Sequence, residues 1–116
     1  METGPSLYFN PSCSKCRTAD ALLKEHGIDA TVVRYLQTAP TYEELVRLMG
    51  LLGIDDPRGM MRTGEAVYAE LGLDLASTEQ LLTAISEHPI LLERPIFVLG
   101  GRAVIARPPE RLLELL

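Results

Sequence analysis

The chain has 116 residues, of which 47% are hydrophobic and 23% charged, with a formal net charge of −5. That balance argues against a disordered segment and for one globular domain, residues 1–116, able to bury roughly two-thirds of the surface its unfolded form exposes. The acidic charge argues against a nucleic-acid binder, because phosphate affinity comes from clustered Lys and Arg, and no run of 18 apolar residues offers a membrane span.

Met1 to Pro5 lacks the basic segment and apolar stretch of a secretory signal, so the expected location is cytoplasmic. Ser6 to Phe9 is a short apolar run stopped by the turn formers Asn10-Pro11-Ser12, the pattern of a first strand. From Ser14 to about His26, Ala19, Leu22 and Leu23 recur at helical spacing, and Gly27 stands where a C-terminal cap belongs. Thr31 to Tyr35 is β-branched and aromatic and reads as a second strand; strand, helix, strand predicts a right-handed parallel crossover. Thr41 followed by Glu44 has the capping-box pattern, with Leu45, Leu48, Met49 and Leu52 as the apolar face of a second helix. Two more helical pieces follow, one from Glu65 to Leu71 ended by Gly72, the other opened by Ser77 and Gln80 and running to about Glu87. Pro95 to Leu99 and Arg102 to Ile105 flank Gly100-Gly101, where both glycines tolerate positive φ, which predicts an antiparallel hairpin. Pro108-Pro109 opens a closing helix, with Leu112, Leu113 and Leu116 available to pack on the sheet. The order β-α-β, helical insertion, β-β-α predicts an α/β, thioredoxin-like fold: a four-stranded mixed sheet flanked by helices, with the insertion between strands 2 and 3.

The two cysteines are spaced Cys13-x-x-Cys16, and in a reducing compartment such a pair is more often redox-active than a structural staple. Cys13 falls at the strand-to-helix turn, where unpaired backbone N–H groups and the helix dipole favour negative charge. A cation such as Lys15 or Arg17 beside it would lower the thiol pKa further. The same amides can hold an oxyanion, so one turn can activate a nucleophile and bind its anionic target. Alternatively Cys13 is a small buried hydrophobe or half of a zinc site, though only His26 and His88 remain as ligands and neither stands in a ligand-like motif. Cys16, one helical turn on, is either a resolving thiol that closes a disulfide with Cys13 or an inert core residue.

Arg62, Arg94 and Arg107 each border apolar residues rather than other charges. Guanidinium forks pair with tetrahedral oxyanions, so the three, if they converge, would cage an anion beside the thiolate; a solvated surface place is the alternative for each.

From about Tyr8 to Leu116 the chain resembles the glutaredoxin-coupled arsenate reductase family. The resemblance is carried by Asn10-Pro11-Ser12-Cys13-Ser14, by Met61-Arg62-Thr63, by His88-Pro89-Ile90-Leu91-Leu92-Glu93-Arg94-Pro95, and by the stretch from Gly100-Gly101 to Arg107-Pro108-Pro109. It implies that Cys13 is the nucleophile, that Arg62, Arg94 and Arg107 bind the anion, and that Pro95 is a cis proline facing the cysteine. It further implies that the thiolate attacks arsenate, that glutathione as co-substrate reduces the adduct, that arsenite leaves, and that glutaredoxin clears the mixed disulfide. No bound metal or organic prosthetic group is implied. Two residues depart from the family pattern. Phe9 stands where members often carry His, and Cys16 stands where they often lack a thiol, so attack by Cys16 would leave a Cys13–Cys16 disulfide for thioredoxin or glutaredoxin.

Two other functions fit a Cys-x-x-Cys pair in this fold. One is general thiol-disulfide exchange; the other is an Spx-type redox regulator that binds RNA polymerase, against which the acidic charge and the Arg94-Pro95 and Arg107-Pro108 pairs stand. His88, ahead of Pro89 at a helix end, reads as a capping residue, and Glu93 as an exposed or paired carboxylate; neither is assigned a catalytic task.

Overall fold

The computed structural model describes residues 4–116, so the first three residues of the Met1 to Pro5 stretch lie outside the described part. The chain forms two compact units. One joins the chain up to Tyr35 with Arg94–Leu116, and the other is Leu36–Glu93.

The first unit contains β1 (Ser6–Tyr8), α1 (Ser14–Glu25), β2 (Thr31–Val33), β3 (Ile96–Leu99), β4 (Arg102–Ile105) and a closing 3₁₀ segment (Pro109–Leu115). Its four strands form one mixed sheet in the order β2-β1-β3-β4, with β1 parallel to β2 and antiparallel to β3, and β3 antiparallel to β4. The register aligns Val32, Leu7, Phe97 and Val104 in one row, which the two-residue period of a strand puts on one face. Leu7, Phe97 and Val104 bury there with Ala19 and Leu23 of α1 and Leu112 of the closing segment. Each large apolar side chain buried in this way contributes roughly 1.5–3 kcal/mol.

α1 is fixed at both ends of its buried stripe, Cys16, Ala19 and Leu23. At its C-terminus Ile28 N–H donates to the Leu23 carbonyl at 2.9 Å and Gly27 N–H to that of Lys24 at 3.1 Å. This double bond pattern needs a left-handed residue after the cap, and Gly27 supplies it with φ of 71°.

Two expectations need correction in this unit. The second strand stops at Val33 because the Tyr35 amide turns back to the Val33 carbonyl at 3.0 Å. The hairpin forms as expected, with the positive φ confined to Gly100, at 61°, the II′ pattern. The closing segment is 3₁₀, so residues three apart share a face: Pro109 and Leu112 are buried and Leu115 packs at the core edge. Leu113 and Leu116, expected on the sheet, are 38% and 49% exposed.

The second unit contains α2 (Tyr42–Leu52), α3 (Ala66–Glu70) and α4 (Thr78–Glu87), with 3₁₀ turns at Pro57–Met60, Leu73–Leu75 and Pro89–Leu91. Both predicted capping boxes form, Thr41 with Glu44 at the start of α2 and Ser77 with Gln80 at the start of α4. α2 packs against α4; Leu45 and Leu48 of α2 and Leu81, Leu82 and Ile85 of α4 are buried, whereas Met49 and Leu52 are only half-buried. The Ser86 hydroxyl donates to the Pro40 carbonyl at 2.7 Å.

Arg58 knits this unit together, a role its sequence setting did not reveal. Its Nε donates to the Tyr68 hydroxyl at 2.9 Å, and its Nη2 to the carbonyls of Leu73 at 2.6 Å, Asp74 at 3.1 Å and Ala76 at 3.3 Å. Among the described residues no helix is long and apolar enough to cross a membrane.

Candidate active site

The turn that follows β1 is built by its own side chains. Asn10 Oδ1 accepts the Ser12 amide at 2.9 Å, and the Asn10 carbonyl accepts the Cys13 amide at 2.9 Å, closing a tight turn of the kind Asn and Pro favour. Arg17 Nη1 donates to the Pro11 carbonyl at 2.8 Å and clamps the turn to the first turn of α1. Cys13 is the N-cap, in extended conformation with φ −95° and ψ 118°; its side chain makes no conventional capping bond, and the first turn contains no acidic residue. The partial positive charge of the helix start is therefore left for an anion.

The Cys13 sulfur is half-buried and uses that charge. Burial opposes ionisation, but the amide and thiol of Cys16, the Arg94 guanidinium and the Lys15 amide outweigh it and hold the thiol below its ordinary range. The expected cations are thus corrected. Lys15 acts through its backbone, Arg17 binds a carbonyl, and the side-chain charge felt by the sulfur comes from Arg94.

Cys16 sits differently, with no exposed surface. Burial pushes its thiol up to about 12, and the adjacent Cys13 adds to the shift by accepting its hydrogen bond. The Asn10 amide donates to Cys16 Sγ at 3.5 Å. Both cysteines are free thiols.

Strand register explains how Arg94 and Arg107 reach this turn. Tyr8 lies opposite Ile96, and Ile96 opposite Ile105. Extending both pairings by two residues puts Arg94 beside Asn10 and Arg107 beside Arg94, at the end of the sheet where α1 begins. The contacts agree: Ala106 N–H donates to the Pro95 carbonyl at 2.9 Å, and Arg107 Nη1 donates to the Arg94 carbonyl at 3.0 Å. Both arginines are half-buried. The Arg94–Pro95 peptide is cis, as expected, and so is Arg107–Pro108, which the sequence reading did not single out.

The first unit thus brings together Cys13, Cys16, Arg94, Pro95 and Arg107. Arg62 belongs to the second unit. There it forms an ion pair with Glu65 at 2.8 Å, and its amide donates to the Leu91 carbonyl at 2.7 Å beside an isolated antiparallel bridge between Met61 and Leu92. Phe9 packs at the core edge, and the Arg34 guanidinium stands 5.7 Å from its ring centre, a cation–π contact. His26 and His88 are the C-caps of α1 and α4.

A thiol of lowered pKa at a helix start, with a guanidinium acting on it, is equipped to bind and attack an oxyanion. Known proteins bear on which one. Over 108 residues the chain is 47% identical to an arsenate reductase of Neisseria meningitidis, covering 91% of this chain and 92% of that protein. Over 112 residues it is 47% identical to an arsenate reductase of Haemophilus influenzae, covering 95% and 97%. The solved structure of an arsenate reductase from Vibrio cholerae superposes with a TM-score of 0.95 at 46% identity over 100% of both chains. The profile of the ArsC family matches residues 8–115, from the last residue of β1 through the closing 3₁₀ segment, and the chain belongs to that family.

Proposed function

We propose that this protein catalyses the thiol-dependent reduction of arsenate to arsenite, with Cys13 as the nucleophile. The observation that carries the reading is the Cys13 sulfur at the uncapped start of α1, acted on by the Arg94 guanidinium. Arsenate presents oxyanion oxygens to the open amides and to Arg94, while its arsenic faces the sulfur. Arg107 binds the anion with the donors that its Arg94 bond leaves, and that bond also positions the loop. Arg62 is assigned to the anion on the family resemblance.

In the reaction the thiolate forms a sulfur–arsenic bond and a protonated arsenate oxygen departs as water or hydroxide. A second thiol then attacks the Cys13 sulfur; a disulfide forms, the sulfur–arsenic bond breaks, and its electron pair stays on arsenic, taking As(V) to As(III). Both electrons come from sulfur, so the reaction needs no bound cofactor. Glutathione is the proposed second thiol, in keeping with a cytoplasmic location, and glutaredoxin the proposed agent that clears the mixed disulfide; thioredoxin is the alternative donor. Burial and a retained proton make Cys16 a poor attacking thiol, which weighs against general disulfide exchange.

The test is arsenate-dependent NADPH oxidation, coupled either through glutathione and glutaredoxin or through thioredoxin. Turnover with the first system, lost in Cys13→Ser and reduced in Arg94→Ala and Arg62→Ala, is the expected result. An absence of turnover in both systems with a reactive Cys13 would sink the arsenate reading.

A further inference from the structure

Phe9 and Arg34 carry the parallel pairing of β1 and β2 one residue past the strands. Tyr8 lies opposite Val33, and the Phe9 amide donates to the Val33 carbonyl at 2.9 Å, so Arg34 stands beside Phe9, one residue ahead of the Asn10 turn. The two-residue period puts Phe9 on the face of Leu7, where it packs at the edge of the core that α1 covers. The Arg34 guanidinium lies over the Phe9 ring, 5.7 Å from its centre. Arg34 is exposed, and among the described residues its side chain has no hydrogen-bond or ion-pair partner. A cation–π contact restrains a long side chain without neutralising its charge, so the guanidinium fork stays available to a carboxylate. The other cations at this end of the sheet are engaged or unanchored. Arg17 donates to the Pro11 carbonyl and Arg107 to the Arg94 carbonyl, while Lys15 is exposed with nothing to hold its ammonium in one place.

We propose that Arg34, held over the Phe9 ring, binds a carboxylate of the second thiol as that thiol approaches the Cys13 sulfur. This inference rests on the proposed arsenate reduction and names what selects its co-substrate: a small thiol bearing a carboxylate, of which glutathione carries two. The net charge of −5 repels such an anion at long range, so a local cation is needed to retain it. The distance suits a tripeptide. Between the Arg34 and Cys13 backbones lie one strand spacing of about 4.8 Å, one chain step of about 3.8 Å and a turn whose ends are within about 7 Å, whereas an extended tripeptide spans about 10 Å and the arginine side chain adds its own reach. Arg34 takes no part in the bond changes: the thiol sulfur attacks the Cys13 sulfur, the disulfide forms, and the electron pair of the broken sulfur–arsenic bond stays on arsenic. Phe9, which stands where family members often carry His, is the positioning residue.

The experiment is a single turnover. Arsenate-loaded protein is mixed with reduced glutathione, glutathione diethyl ester or 2-mercaptoethanol, and the arsenate-dependent disulfide at Cys13 is followed by intact mass in wild type, Arg34→Gln and Phe9→Leu. Arg34→Gln is expected to lower the second-order rate constant with glutathione about fivefold, the loss of one exposed ion pair. With 2-mercaptoethanol, which has no carboxylate, the same variant is expected to match wild type. Wild type is expected to lose a similar factor when the ester, its carboxylates capped, replaces glutathione. Phe9→Leu keeps an apolar side chain at the core edge and is expected to lower the glutathione constant about twofold, with no further loss when combined with Arg34→Gln. An unchanged glutathione constant in Arg34→Gln, or equal losses with glutathione and 2-mercaptoethanol, would overturn the inference while leaving the arsenate chemistry in place. A wild type that alkylates at Cys13 and yet forms no arsenate-dependent disulfide with any of the three thiols would remove both.

Discussion

α2 and α4 begin in one way and α1 in another. At Thr41 and Ser77 the side chain accepts the amide of the third helical residue, and Glu44 or Gln80 reaches back to the cap amide; Glu43, Glu44 and Glu79 add acids to the first turns. α1 begins at Cys13 without a capping bond and without an acid in its first turn. A helix start carries roughly half a positive charge. In α2 and α4 the chain's own side chains absorb it and stabilise the helices, while in α1 it is left to the Cys13 sulfur and, in the function proposed above, to a substrate oxyanion. Burial of Ala19 and Leu23 with Leu7, Phe97 and Val104 of the sheet holds α1 without the cap.

Making the start of α1 resemble the others has the largest expected effect. Cys13→Ser installs a favoured cap, so thermal unfolding is expected to show α1 no less stable, by up to about 1 kcal/mol in its favour, while coupled NADPH oxidation falls to the uncatalysed rate. Next comes Arg94→Ala, which removes the cation from the sulfur and, in the proposed function, one fork from the anion. A drop of about 10- to 100-fold in kcat/KM is expected, with the Cys13 alkylation curve moved to higher pH. Thr41→Ala breaks a cap that serves stability alone. Chemical denaturation is expected to show about 1 kcal/mol of destabilisation, and kcat/KM is expected to match wild type; a loss of turnover in the folded variant would contradict the division between the two kinds of helix start. The smallest effect belongs to Lys15→Glu, which gives α1 an acid like those of α2 and α4. The Cys13 alkylation midpoint is expected to rise by a few tenths of a pH unit, and added salt to erase the difference.

Local pattern made much of this legible. Capping boxes, the Gly100-Gly101 hairpin and the Cys-x-x-Cys turn are decided by residues within a few positions of one another, and each forms. The closing segment misled because its leucines fit an α-helical stripe, whereas a 3₁₀ turn of three residues brings Pro109, Leu112 and Leu115 to one face. Proximity in sequence points to Lys15 and Arg17 as the cation at Cys13; Arg94 arrives instead through the pairing of β1 with β3, which no local spacing encodes. The role of Arg58 is hidden for the same reason, since the carbonyls it binds lie 15 to 18 residues downstream. The partner of Arg62 was within reach of sequence reasoning, because Glu65 stands at the i+3 spacing that favours an ion pair.

The central claim is that thiolate and anion share one turn. It is tested most directly by the pH dependence of Cys13 alkylation with and without arsenate. Since ionisation of Cys13 is favoured in the folded protein, the rate should fall through a midpoint that lies below that of an ordinary thiol. Arsenate should slow it saturably, and Cys16, buried and protonated up to about 12, should stay unlabelled until the chain unfolds. An ordinary thiol profile with no protection by arsenate would contradict the account.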